Sequence, residues 1–164
     1  MGKVLLSLHV VAAIVLIGPV TVAVSLFPRY AGLALGVGGD GPRPVGAQGV
    51  PVLLHRISRV YAVAGLSVPV LGIALAVQMG VLTDPWLVIS LVLTVAAALV
   101  LALVVLPEQQ RAMDLIADPD AAPTDRATWA RRAGKLSAAS GIFGLLWVVV
   151  VVLMIARPGS TTGV

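Results

Sequence analysis

Four long apolar runs dominate this sequence and restrict the folds that are open to it. They cover residues from about 4–27, 57–81, 86–106 and 133–156, and each is long enough to cross a bilayer core, which takes about 20 helical residues. Each run must be helical, because an open strand would leave backbone amides without partners in hydrocarbon. The sequence therefore predicts an all-α protein in which residues 1–164 form a single membrane domain, a four-transmembrane-helix bundle.

The composition supports a membrane protein and excludes several kinds of site. Charged residues make up 11% of the 164 residues, against about 25% in soluble domains. The chain has no cysteine, which excludes disulfides, thiolate metal sites and haem attached through Cys-x-x-Cys-His. The net charge of +4 does not indicate nucleic acid, because the basic residues lie beside apolar runs, where anionic lipid head groups are the expected partner.

The distribution of Lys and Arg predicts how the bundle is oriented. Nine of the 11 basic residues lie in two long connections, about residues 28–56 and 107–132, or at the helix ends beside them. The opposite side carries Lys3 and Arg157. Positive charge favours the cytoplasm, so we predict a multi-pass plasma-membrane protein whose two termini are extracytoplasmic and whose two long connections are cytoplasmic loops. The nine residues are Arg29, Arg43, Arg56, Arg59, Arg111, Arg126, Arg131, Arg132 and Lys135.

The first run has an alternative interpretation as a cleaved signal peptide. Ala23-Val24-Ser25 resembles a cleavage site, but the segment before the run carries only Lys3, and the run is long for a signal sequence. We therefore expect it to be the first span. The preference for Arg over Lys, with abundant Ala, Val and Gly, indicates a GC-rich bacterial genome.

Prolines mark the interior of two spans and the ends of a third. Pro19 and Pro69 lie inside spans one and two, where each removes a backbone hydrogen bond and predicts a kink. Pro85 and Pro107 are expected to bound span three. Thr83-Asp84 offers a capping side chain directly before Pro85.

His9 is the one histidine inside an apolar run. The four runs contain no Asp or Glu, and no Ser-His-acid or paired-carboxylate arrangement can be built, so the sequence predicts no catalytic residue. His9 is expected either to bond a neighbour such as Gln78 and position helices, or to ligate haem b. A haem ligated by His9 would need Met79, Met154, a water or a partner chain as its second ligand.

The second histidine, His55, is expected at the opposite side of the membrane. The helix from His9 to Phe27 rises about 27 Å at 1.5 Å per residue, so the two histidines of one chain cannot share a haem, and no metal site is predicted. The basic residues near His55 and at the start of span four are expected to face lipid head groups or a partner protein. This predicted set is His55, Arg56, Arg59, Arg131, Arg132 and Lys135.

Small residues recur four apart at the start of span four. Such spacing permits close approach of helix backbones. Packing within the bundle is the favoured interpretation, and dimerisation is the alternative. The residues are Gly134, Ser137, Ala138, Ser140, Gly141 and Gly144.

The first half of the chain resembles a broad group of small bacterial membrane proteins. The segment LLSLHVVAAIVLIGPVTVAVSLFPRYAG has a Leu-His early in span one, a glycine near its middle and an arginine at its exit, and HRISRVYAVAG precedes span two. It is similar to HemJ-type protoporphyrinogen oxidases, CopD-type copper-resistance domains and an uncharacterised integral membrane family.

Likeness to the HemJ type implies that His9 is associated with haem. That family also uses a lysine in a later span, whereas no lysine lies within spans two or three here, and Lys135 is at the start of span four. Likeness to the CopD type implies copper, but two histidines and scattered methionines make no copper cluster. The uncharacterised family fits best.

Two functions follow as expectations. The first is a protein without catalysis of its own, an accessory or stabilising subunit of a larger bacterial membrane complex, respiratory or transport, in contact with other membrane subunits. The second is a haem b-binding, HemJ-like membrane oxidoreductase that uses His9. A transporter ranks third, because the spans offer no polar pathway.

Overall fold

The computed structural model describes residues 2–37, 45–118 and 126–159. Within these ranges the chain is helical apart from short turns and contains no β-strand, which confirms the all-α class. The elements are α1 (Gly2–Ala34), α2 (Gly49–Gly65), α3 (Ser67–Met79), α4 (Pro85–Leu99), a π-helical segment (Val100–Val105), α5 (Leu106–Ala117) and α6 (Arg126–Ala156).

These elements join into four helices long and apolar enough to cross a membrane, which confirms the predicted four-helix membrane bundle. The second combines α2 with α3, and the third combines α4, the π-helical segment and α5. The four ranges are Lys3–Ala34, Gly49–Met79, Pro85–Ala117 and Ala127–Ala156.

Helix α1 lies at the centre of the bundle. It contacts α2, α3, α5 and α6, while α4 packs mainly on α6. One face of α1 is fully buried along its second half, through Val20, Val24, Phe27 and Ala31. The outward faces of the helices carry exposed valine, leucine and isoleucine side chains. Such a surface suits lipid, whose tails are as apolar as these side chains.

The start of α1 and the end of α6 lie at the same end of the bundle, since His9 and Met154 line one cavity. The Arg157 guanidinium lies 5.6 Å from the centre of the Trp86 ring, which opens α4. Near the other chain end, His9 contacts the Val68 carbonyl of α3. We call this the terminal end. The opposite end, where α1 connects to α2 and α5 to α6, is the loop end.

The helices extend further into the connections than the sequence predicted. The loops predicted at about 28–56 and 107–132 are wrong to that extent, because α1 continues through Pro28 to Ala34 and α2 already begins at Gly49. Likewise α5 occupies the start of the second connection. These extensions bury apolar residues against the bundle, and tertiary packing of that kind overrides a local preference for loop.

Pro69 disrupts the second membrane helix as predicted. Helix α2 ends at Gly65 and α3 begins at Ser67, and Gly65 is four residues before Pro69, where the proline ring would clash with its carbonyl. The Leu66 N–H turns instead to the Val63 carbonyl at 3.2 Å. By contrast, Pro19 lies inside a helix without interruption.

Pro107 does not end the third helix. Residues Val100–Val105 adopt π-helical geometry, and the Leu106 N–H donates to the Leu101 carbonyl, five residues earlier. In α geometry the Pro107 ring would meet the carbonyl of Leu103. The wider π turn relieves that clash, and the chain continues as α5.

In the turn between α3 and α4, the predicted capping residue makes a different contact. Gly80 ends α3 with a φ of 69°, a conformation that favours glycine. Asp84 precedes α4 in extended backbone, with Pro85 in the first turn, but its side chain does not cap the helix. Its carboxylate accepts a hydrogen bond from Trp86 Nε1 at 3.0 Å instead.

Candidate functional site

His9 is buried at the terminal end, where α1 meets α3. Its side chain is 8% exposed, and Nδ1 lies 3.1 Å from the Val68 carbonyl oxygen. A carbonyl only accepts, so Nδ1 carries the proton and Nε2 is the nitrogen with a free lone pair. The bond ties α1 to α3 and fixes the tautomer of the ring.

Gly72 gives the imidazole its space. A Cβ atom at Gly72 would lie 3.0 Å from His9 Cε1, closer than ordinary van der Waals contact. Gly72 is four residues after Val68, so its backbone lies on the same helix face as the Val68 carbonyl. The expected partner Gln78 is exposed and does not take this role. Glycine opposite a membrane histidine is the signal that the sequence analysis missed.

A cavity of about 90 Å³ adjoins His9, and we call it the His9 cavity. Its walls are mostly apolar side chains of α1, α3, α4 and α6, with Thr94, Trp147 and Met154 among them. Met154 is thus the candidate second ligand that shares this cavity with His9. Thr94 Oγ1 donates to the Ser90 carbonyl at 2.8 Å, while Trp147 Nε1 is buried without a partner among the described residues.

The His9 cavity does not hold a porphyrin as it stands. Pockets for ligands of drug size measure about 300–1,000 Å³, several times its volume of about 90 Å³. The donor atoms suit haem iron, because a histidine whose Nδ1 is bonded to a carbonyl presents Nε2 to a metal. The donor atoms at this site therefore suit haem iron, but the cavity is too small for the porphyrin ring.

A second polar site, the His55 network, lies at the loop end between α2 and α5. His55 Nδ1 lies 3.1 Å from Gln109 Oε1, and His55 Nε2 lies 3.1 Å from Gln110 Oε1. The Phe27 ring of α1 packs at 6.4 Å between ring centres. Because Phe27 is 18 residues after His9 on one helix, the two histidines are separated by about 27 Å along that helix.

The hydrogen bonds donated by the amide nitrogens of Gln109 and Gln110 fix the orientation of both amides. Gln109 Nε2 donates to Ser58 Oγ at 3.3 Å, and Ser58 Oγ donates its own proton to the Leu54 carbonyl at 2.9 Å. Gln110 Nε2 donates to Asp114 Oδ1 at 2.9 Å. Both ring nitrogens of His55 therefore face amide oxygens.

Gln109 and Gln110 were not among the predicted site residues. Gln109 is fully buried, and it reaches His55 only because α5 continues beyond Pro107. The sequence predicts a connector for this segment, and the side-chain positions of a connector cannot be predicted. The adjacent Gln109 and Gln110 in an amphipathic stretch were the available signal.

The structure divides the predicted basic residues into two groups. His55, Arg56 and Arg59 line one groove with Gln110, and we call it the α2–α5 groove. The others lie on α6, also at the loop end but on the far side of α5, where Arg132 shares a small pocket with Glu108. The α6 group is exposed and consists of Arg131, Arg132 and Lys135.

The small residues of span four also divide. Ser140 Oγ donates to the Val24 carbonyl of α1 at 3.1 Å, and a Cβ at Gly144 would lie 3.9 Å from Thr21 Cγ2. These two pack within the bundle as predicted. The other four, which are Gly134, Ser137, Ala138 and Gly141, are exposed. They lie about a quarter turn around α6 from Ser140 and Gly144, on an exposed face of the helix.

Within the described residues, no group of three or more His, Asp or Glu side chains is arranged to hold a metal ion. The site chemistry available is thus one histidine beside a cavity and one histidine in a network of amides, at opposite ends of the bundle. Comparison of the chain with family models, with curated proteins and with solved structures finds no match.

Proposed function

We propose that this chain is a small integral membrane protein without catalysis of its own, which serves as an accessory or stabilising subunit of a larger bacterial membrane complex. The observation that carries the proposal is that both histidines are hydrogen-bonded inside the bundle. His9 ties α1 to α3, and His55 ties α2 to α5. Ionisable groups used in this way hold helices in register, as a structural subunit requires.

The outward surface supports docking against other membrane subunits. Gly134, Ser137, Ala138 and Gly141 are exposed on α6, and a Cβ at Gly134 or Gly141 would meet no atom within 4 Å. Small residues spaced four apart let a partner helix approach closely. Respiratory and transport complexes are the proposed hosts, because both assemble from many such helices in the plasma membrane.

A second candidate is a haem b-binding membrane oxidoreductase of the HemJ kind. His9 and Met154 line the same cavity, and the Val68 bond leaves His9 Nε2 as the ligating nitrogen. Haem would supply one-electron chemistry at that site. The cavity volume of about 90 Å³ ranks this candidate second, because the helices around it would have to separate to admit the ring.

One purification separates the two candidates. The full chain is extracted from its native membranes in mild detergent, its visible spectrum is recorded, and the copurifying subunits are identified and quantified. We expect no Soret band and a fixed stoichiometry with defined membrane subunits. His9→Ala is the test variant and His55→Ala its matched control, since each removes one buried histidine.

Two outcomes would contradict the proposal. A Soret band that His9→Ala abolishes and His55→Ala retains would replace it with the haem protein. A colourless chain that purifies alone from native membranes, with no subunit in fixed ratio, would remove the accessory role.

A further inference from the structure

The α2–α5 groove combines basic and apolar walls. Its volume is about 660 Å³, and none of its lining residues is acidic. Arg56 and Arg59 are three residues apart on α2, which brings them to neighbouring positions on one helix face. The apolar lining comes from three valines of α2 and one methionine of α5, namely Val52, Val60, Val63 and Met113.

Among the residues that the structure describes, no ion pair balances the positive charge of this groove. The ion pair formed by the described residues joins Arg111 to Glu108, and neither residue lines the groove. The carboxylate of Asp114 belongs to the His55 network, where it accepts a hydrogen bond from Gln110. His55 lines the same groove, and both of its ring nitrogens face amide oxygens.

We propose that the α2–α5 groove is a binding site for one anionic phospholipid. The phosphate lies between Arg56 and Arg59, whose guanidinium groups match phosphate oxygens in pairs of hydrogen bonds. An acyl chain follows Val60 and Val63, because α2 runs from the loop end toward the centre of the bundle. A free anion would use the arginines but would gain nothing from the valines, so the mixed lining favours an amphipathic ligand.

The proposal rests on the membrane location in the proposed function but does not rest on the accessory role. A chain that purifies alone would still bind the lipid, whereas failure of lipid binding would leave the copurifying subunits unaffected. A negative result in one experiment therefore does not imply a negative result in the other.

The test measures lipid binding to the full chain in a neutral detergent by native mass spectrometry. Phosphatidylglycerol is titrated, with phosphatidylcholine and inorganic phosphate as comparison ligands. The test variant is Arg56→Gln with Arg59→Gln. Its matched control is Arg131→Gln with Arg132→Gln, which removes the same charge at the same end of the bundle but outside the groove.

We expect one tightly bound phosphatidylglycerol, with an affinity roughly tenfold to thirtyfold weaker in the groove variant and changed less than about threefold in the control. Equal weakening in both variants would overturn the proposal in favour of diffuse charge attraction. Equal binding of phosphatidylcholine would overturn recognition of the head-group charge. Binding of inorganic phosphate as tight as that of the lipid would overturn the lipid as ligand.

A second measurement covers the case in which the groove variant does not fold. The unmodified chain is placed in vesicles of phosphatidylcholine alone, or with one fifth phosphatidylglycerol, and amide hydrogen exchange is followed. Slower exchange in residues 49–63 that requires phosphatidylglycerol supports the site, and unchanged exchange there overturns it.

Discussion

Gly72 sets the position of the buried His9 side chain. The His9 ring cannot move away from a new Cβ without lengthening the 3.1 Å contact to Val68, and that Cβ would start only 3.0 Å from the ring. We therefore predict that Gly72→Ala destabilises the bundle by about 1–3 kcal/mol through overpacking. The measurement is unfolding of the purified protein in mixed detergent micelles with increasing sodium dodecyl sulfate.

Gly134→Ala is the matched control, because Gly134 also lies in a helix but a Cβ there would meet no atom within 4 Å. Alanine stabilises a helix relative to glycine by roughly 0.5–1 kcal/mol. The control should therefore be unchanged or slightly more stable. Equal stability of the two variants would show that the His9 ring moves aside without lowering the free energy of unfolding.

For each of the two histidine contacts, the sequence indicated the histidine but not its partner. His9 stood out as an ionisable residue in an apolar run, and His55 stood out beside two arginines. Their partners were not predictable for different reasons. A backbone carbonyl such as that of Val68 has no side-chain signature, and Gln109 reaches His55 only through the path of a helix whose continuation the sequence did not indicate.

Among the elements, the π-helical segment has the largest consequence. It carries the third helix through Pro107, and the helix that follows delivers Gln109 to the interface with α2. Proline often disrupts a helix, and it does so at Pro69 but not at Pro19 or Pro28. Whether disruption produces a break or a π turn depends on what the helix contacts beyond it, and packing of α5 on the bundle decides that question at Pro107.

The link between α2 and α5 can be tested at Gln109. Gln109→Leu keeps the approximate shape of the side chain but leaves His55 Nδ1 without its partner. A buried polar atom left without a hydrogen-bond partner costs about 1–3 kcal/mol, so we predict a loss of that size in the same detergent unfolding measurement. The contact between α2 and α5 should loosen with it, which hydrogen exchange in α5 would report.

Gln48→Leu provides the comparison for Gln109→Leu. Gln48 precedes α2, is exposed and makes no capping side-chain bond, and exposed substitutions of this type usually change stability by less than about 0.5 kcal/mol. If Gln109→Leu were as stable as Gln48→Leu, the His55 network would not contribute to holding α2 and α5 together.

For the whole molecule, the four spans were predictable because bilayer thickness imposes a length and an apolar composition that short sequence windows reveal. The pairing of the helices was not predictable, because the apolar faces of different helices resemble one another. The structure adds that the start of α1 and the end of α6 share one end of the bundle, since His9 and Met154 line one cavity. The charges in the two long connections then decide which end of the bundle faces the cytoplasm.

The orientation gives the last prediction. Nine of the 11 basic residues belong to the two long connections or to the helix ends beside them, and positive charge holds such segments in the cytoplasm. Alkaline phosphatase, which is active only after export, should therefore be active when fused at the C-terminus and inactive when fused at Ala47 in the first connection. Green fluorescent protein should give the reverse pattern. A C-terminal fusion active only in the cytoplasm would invert the bundle and would move the α2–α5 groove, with its phospholipid site, to the opposite leaflet.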